Sequence, residues 1–312
     1  MLIAQALVAG GAASVLAGIL GRGLGRIGFL DHPNARSSHQ RATPRGGGLA
    51  FIASSALLMP SPLLLIPVPL ALVGLLDDRR GLPVHLRLLV QLLTGVALAL
   101  EAGWPPALAL LAAVPAAAVI NAINFMDGLD GLVASCMALW LLMAGLLLQQ
   151  EELVVLAAAL LGFLIWNWSP ARLFMGDVGS TYLGAVMAGV LLQASRSQTT
   201  HLLPGLLLTA LPLLGDAFSC LLRRLLAGQR LWQAHRLHLY QRLQQAGWSH
   251  PRIASVYALA TGGLAGLTGL SRQLRPTACW AVVLGATLAI AGLGWWLDRS
   301  RALPFEKKVE PS

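Results

Sequence analysis

Apolar residues run along this chain in long blocks, broken at short intervals by glycine, proline, arginine and aspartate. A helix needs roughly 20 apolar residues to cross a bilayer. The pattern predicts eleven spans, at about 2–20, 46–60, 63–76, 86–102, 106–122, 131–148, 153–168, 179–194, 202–222, 252–270 and 277–297. The expected fold class is all-α: a polytopic integral membrane protein with 10–11 transmembrane helices, forming one domain over residues 1–312. Only Met59-Pro60-Ser61-Pro62 parts the second block from the third, so these two read as a tight helical hairpin or as one element. The first block lacks a basic segment ahead of it and a clear cleavage motif, so it reads as a span and not as a signal peptide.

Composition agrees. The chain is 56% hydrophobic and 11% charged, where a soluble domain carries about 25% charge. The net charge of +9 raises nucleic acid as a partner. The basic residues are scattered between apolar blocks and form no continuous face, so that partner is excluded. Of the 22 Lys and Arg, 19 fall in alternate loops, which by the positive-inside rule puts the N-terminus in the periplasm and the C-terminus in the cytoplasm. The cytoplasmic loops are then 22–45, 77–85, 123–130, 170–178 and 223–251. Asp31, Asp77, Asp78, Asp127, Asp130, Asp177 and Asp216 gather at that face, whereas Glu101, Glu151 and Glu152 lie in outer turns. Cys136, Cys220 and Cys279 sit inside apolar segments and read as small core residues.

Polar groups are costly at membrane depth, so clusters of them need a reason. Asn121-Ala-Ile-Asn124-Phe-Met-Asp127-Gly128-Leu-Asp130-Gly131 carries amides and carboxylates at intervals of three, one side of a helix. Their oxygens suit a hard cation such as Mg²⁺. Gly128 and Gly131 would let a ligand approach the backbone. Asp77-Asp78-Arg79-Arg80 ends the third block; adjacent helical carboxylates point about 100° apart, so one can face a metal or phosphate while the other meets a base. Phe174-Met-Gly176-Asp177-Val-Gly179-Ser180 places a carboxylate and a hydroxyl between glycines at a helix start, as phosphate sites do. His235-Arg236-Leu-His238 can grip a diphosphate and a sugar. Its HxxH spacing also suits zinc, but the sequence shows no nearby Cys or third His, which argues against that metal. Arg45, before Gly46-Gly47-Gly48, closes the first inner loop, where a phosphate could sit.

In this order the segments Asp31-His-Pro-Asn34-Ala-Arg36-Ser37-Ser-His39 with Thr43-Pro44-Arg45-Gly46-Gly47-Gly48, Asp77-Asp78, Asn121 to Leu132, Phe174 to Ser180 and the histidine loop resemble the polyprenyl-phosphate N-acetylhexosamine-1-phosphate transferases. That MraY/WecA group includes the peptidoglycan phospho-MurNAc-pentapeptide transferase and the WecA-type GlcNAc-1-phosphate transferases. The resemblance covers roughly residues 30–245. It implies a Mg²⁺ enzyme (Mn²⁺ as the alternative ion) of the bacterial inner membrane, with its site facing the cytoplasm. The reaction implied transfers N-acetylhexosamine 1-phosphate from a UDP-sugar to undecaprenyl phosphate and releases UMP. It further implies Asp177 and Asn124 as metal ligands, Asp77, Asp78 and Asp127 as catalytic carboxylates, and Asp130 and Phe174 at the uracil. His235, Arg236 and His238 would grip the diphosphate and sugar, with Arg45 also on the substrate side. HRLH departs from the usual histidine runs and is similar to the WbpL-type branch that initiates O-antigen on GlcNAc, FucNAc or QuiNAc. Oligomeric state stays open between monomer and homodimer. A membrane transporter using the same carboxylates is the alternative from another class, although no ionisable chain crosses the midplane. A CDP-alcohol phosphotransferase would need an Ala-Arg element after Asp127-Gly128, which is absent.

Overall fold

All eleven apolar blocks are helical in the computed structural model, which describes residues 1–33, 41–197, 202–230, 235–271 and 276–305. The helices are α1 (Leu2–Arg26), α2 (Gly48–Leu58), α3 (Pro62–Leu65), α4 (Val68–Arg80), α5 (Val84–Glu101), α6 (Pro106–Met126), α7 (Leu132–Leu148), α8 (Glu151–Asn167), α9 (Gly176–Ser195), α10 (Leu202–Leu226), α11 (Leu239–Gln245), α12 (His250–Ser271) and α13 (Pro276–Ser300). Seven of them are long and apolar enough to cross a membrane: α1, α5, α6, α9, α10, α12 and α13. The second and third blocks are separate elements. Pro67 and Pro69, which have no N–H to donate, divide the third block into α3 and α4. Between α1 and α2 a short ribbon pairs β1 (Leu30–Asp31) antiparallel with β2 (Thr43–Pro44). Asn34, Arg36, Ser37 and His39 of the first motif lie outside the described residues.

Lipid tails are as apolar as leucine, so helices in a membrane associate by close packing. The sequence supplies small residues where they are needed. Ala9, Ala13 and Ala17 of α1 are fully buried. A Cβ on Gly162 of α8 would collide with the carbonyl of Gly10, so α1 and α8 meet backbone to backbone. The hub is α9, with 17 of its 20 residues buried and α2, α4, α5, α6 and α10 around it. At the periphery, α13 keeps Trp280, Leu284, Leu288, Trp295 and Trp296 on its exposed surface, as a lipid-facing helix does. Helix packing thus makes a rigid shaft of α9, and the loop ends of α4 and α6 gather around its N-terminus.

Candidate active site

The first turn of α9 leaves backbone N–H groups without helical acceptors. Asp78, at the end of α4, fills that role from outside the helix. Its Oδ1 accepts from Asp177 N at 3.0 Å and its Oδ2 from Val178 N at 3.3 Å. Gly176 enters the helix at φ +76°, and a Cβ there would strike the Asp78 carboxylate, so only glycine permits this cap. Arg45 Nε stands 3.5 Å from Asp78 Oδ1, and Arg45 Nη2 lies 3.6 Å from Asp31. The glycine loop is stitched to the segment before α9, with Phe174 N donating to Pro44 O and Gly47 N to Phe174 O. Phe174 is half-buried at this junction.

The two adjacent aspartates diverge as their helical angle requires. Asp77 faces α5, where Arg87 Nη1 approaches its Oδ2 to 2.6 Å and Leu82 N donates to its Oδ1 at 2.5 Å. The same Arg87 nitrogen is 3.7 Å from Asp177 Oδ2, so one guanidinium lies between two carboxylates. On the other side of Asp177, Asn124 Nδ2 donates to Asp177 Oδ1 at 2.9 Å and to Ser180 Oγ at 2.9 Å. Adjacent ligands of an octahedral Mg²⁺ lie about 2.9 Å apart. The atom beside Asp177 Oδ1 is the Asn124 amide nitrogen, and a half-turn of that amide would present its oxygen instead and let both side chains hold one such ion. The charge balance fits a cation as well. Asp77, Asp78, Asp127 and Asp177 converge here on Arg45 and Arg87. Burial, then the negative charges of Asp177 and Asp78, push the Asp127 carboxyl well above its usual range.

The run from Asn121 to Asp130 does not form one continuous helical side. Helix α6 ends at Met126, with Asp127 already out of helical geometry. Asn121 leaves the cluster to exchange hydrogen bonds with Gln91 of α5. Asp130 turns toward the opposite wall. Its Oδ2 accepts from Ala171 N at 3.1 Å and stands 3.3 Å from His250 Nδ1. Burial would raise its pKa, but the His250 contact and the Ala171 N–H hold it below the usual carboxylate range. The space beside Gly128, expected for a ligand, is taken by the Tyr240 hydroxyl.

That hydroxyl ties the histidine loop to the site: Tyr240 OH donates to Phe125 O at 2.9 Å. Asp216, buried inside α10, accepts from Leu239 N at 2.7 Å, Tyr240 N at 3.1 Å and Tyr257 OH at 2.7 Å. A carboxylate at a helix start is favourable, and this one fixes where His238 begins α11. The His235 and His238 rings lie 4.9 Å apart, and His238 is 6.3 Å from Phe125. Arg236 turns along α11 instead, donating to Gln244 at 3.0 Å. Burial, followed by nearby positive charge, lowers His235 to about 3 and His238 to about 4. Below the ordinary histidine value of 6.5 the unfolded loop then binds more protons than the folded one. Stability of this loop is full above 6.5 and is lost as pH falls through the window between 6.5 and 4. Hydrogen-exchange protection of the α11 amides, corrected for intrinsic rate, should therefore drop between pH 7 and pH 5, and His238→Gln should flatten the drop.

Arg87, His250, Asp216 and Tyr240 were not singled out as site residues by motif spacing. Arg87 reads as one more inner-loop charge, and His250 lies beyond the histidine loop. Only folding shows that each touches a motif residue.

Residues 61–195, which run from α3 to the end of α9, match the family described as Glycosyl transferase family 4. The decaprenyl-phosphate N-acetylglucosaminephosphotransferase of Mycobacterium tuberculosis is 31% identical over 86% of this chain and 81% of its own length. The chain belongs to this family. Family members from two branches align at similar identity. The undecaprenyl-phosphate alpha-N-acetylglucosaminyl 1-phosphate transferase of Yersinia pestis is 28% identical, over 91% of this chain and 88% of its own. The phospho-N-acetylmuramoyl-pentapeptide-transferase of Synechococcus is 30% identical, over 78% and 83%. This is a multi-pass membrane transferase of the polyprenyl-phosphate sugar-phosphate type.

Proposed function

We propose that this enzyme transfers N-acetylhexosamine 1-phosphate from a UDP-N-acetylhexosamine to undecaprenyl phosphate, releasing UMP, as the first step of O-antigen or another cell-surface polysaccharide. The observation that carries the reading is the convergence of Asp77, Asp78, Asn124 and Asp177 with Arg45 and Arg87 around the N-terminus of α9. Two anionic substrates must meet, and arginines among carboxylates can neutralise phosphate while leaving places for a cation. A Mg²⁺ held by Asp177 and Asn124 would supply the charge that stabilises the diphosphate.

The chain's own groups then divide the work. Arg87 presents its fork to the acceptor phosphate, and Asp77 beside it orients that phosphate or takes its proton. Asp78 fixes the start of α9 and thereby the position of Asp177. Asp127 lies within the carboxylate cluster, and Asp130 and Phe174 face the uracil. His235 and His238 grip the diphosphate and sugar, with Arg45 on the same side, while Arg236 would have to leave Gln244 to join them. The positive-inside pattern puts this end in the cytoplasm, where UDP-sugars are made, with the N-terminus in the periplasm. An acceptor oxygen attacks the sugar-linked phosphorus in one displacement as UMP leaves. Trapping a phosphorylated enzyme from UDP-sugar without lipid would replace that single step by two.

The direct test is UMP release from purified protein with Mg²⁺, undecaprenyl phosphate and a panel of UDP-N-acetylhexosamines. Release with at least one sugar, dependent on the lipid, is expected; none with any would refute the reading. A narrower result concerns His250. His250→Ala should raise the KM for UDP-sugar about 10-fold, the worth of one charge-assisted contact to Asp130, with little change in the KM for lipid. An unchanged UDP-sugar KM would remove Asp130 and its partner from uracil binding.

A further inference from the structure

Sequence spacing offers the histidine loop no sulfur ligand, yet the fold brings one. Cys220, on α10, lies with His235 and His238 so that one ligand atom from each is within 4.8 Å of the other two. We propose that these three residues form a binding site for a soft or borderline divalent cation such as Zn²⁺.

The donor set is a sulfur and two imidazoles, which favours zinc-like ions over the hard ions that suit Asp177 and Asn124. The site is enclosed: Cys220 is 3% exposed and His238 2%. Asp216 Oδ1 is 3.8 Å from His238 Nδ1, beyond hydrogen-bond reach. Tetrahedral zinc sets its ligand atoms roughly 3.3–3.8 Å apart, so small side-chain rotations close the triangle. The thiol proton passes to solvent as the metal–sulfur bond forms, and water completes the fourth position. Arg224, whose charge lowers both histidines, is anchored nearby by Gln229 and the carbonyl of Arg230. The inference rests on the transferase reading in one respect only. Histidines that hold a metal here are not available to a diphosphate, so occupancy would oppose UDP-sugar use.

The test reads ligation and not turnover, so its failure is distinct from failure of that reading. The full chain in detergent is titrated with Co²⁺ and then Zn²⁺. One equivalent of Co²⁺ should produce a thiolate-to-cobalt charge-transfer absorption that Zn²⁺ abolishes. Cys220→Ser should lose the absorption and bind Zn²⁺ at least about 10-fold more weakly, as should His235→Ala. A Cys136→Ser/Cys279→Ser double variant, which keeps Cys220, should retain the absorption and guards against misfolding of the single variant. No absorption in wild type, its persistence in Cys220→Ser, or its loss from the double variant would overturn the proposal.

Discussion

Asp177→Asn should lower turnover by about 10²–10³-fold while the protein stays folded, the usual cost of removing one preorganised charge from an active site. The reason lies in its neighbours. Asp177 is the one carboxylate in the cluster that touches both an amide ligand candidate, Asn124, and the bridging cation, Arg87. Its side chain is 29% exposed, the most open of the three carboxylates of the Asp77, Asp78 and Asp177 group. Substrate can reach it, and its loss leaves no fully buried group unpaired. Asparagine keeps the shape and removes the charge. Steady-state UMP release measured across a Mg²⁺ series would show the effect, and more Mg²⁺ should recover part of it. Activity within about 3-fold of wild type, well short of the usual cost, would take Asp177 out of the metal role.

Asp78→Ala should act on the fold before it acts on chemistry. Its carboxylate is 1% exposed and serves two backbone N–H groups at the start of the most buried helix. Each buried donor left without an acceptor costs about 1–3 kcal/mol, and the Arg45 contact goes too. A loss of about 2–4 kcal/mol in unfolding free energy is expected, read by denaturant titration in mixed micelles. Asp77→Asn, whose partner Arg87 is half-exposed, should cost less than about 1 kcal/mol and yet lower turnover strongly. Equal stability of Asp78→Ala and wild type would show that the α9 cap is not held from α4. The adjacent pair would then be separated by experiment into an anchor, Asp78, and a reacting-end group, Asp77.

Much of this was legible from the chain because membrane helices write themselves in long apolar blocks. All eleven blocks are helical, the third as two helices, and Asp77, Asp78, Asp127 and Asp177 gather around the start of α9 while Asp130 turns toward His250. Periodicity misled where a helix stopped. Asn121 and Asn124 are spaced like partners, but Gln91 claims the first, and the helix ends before Asp127 and Asp130. Gly128 reads as room for a ligand, whereas a tyrosine 112 positions later fills it. Arg87, His250 and Cys220 carry no local signal at all. Their roles come from long-range packing, which brings α5, α12 and α10 against motif residues that the sequence keeps far apart.

In the proposed reaction the bond broken is the one between the two phosphates of the UDP-sugar. UDP-N-acetylglucosamine radiolabelled in its β-phosphate, incubated with the enzyme, Mg²⁺ and undecaprenyl phosphate, tests it most directly. Label in the lipid phase, with unlabelled UMP left in water, is expected. Label remaining in water as UDP, with sugar alone on the lipid, would contradict it.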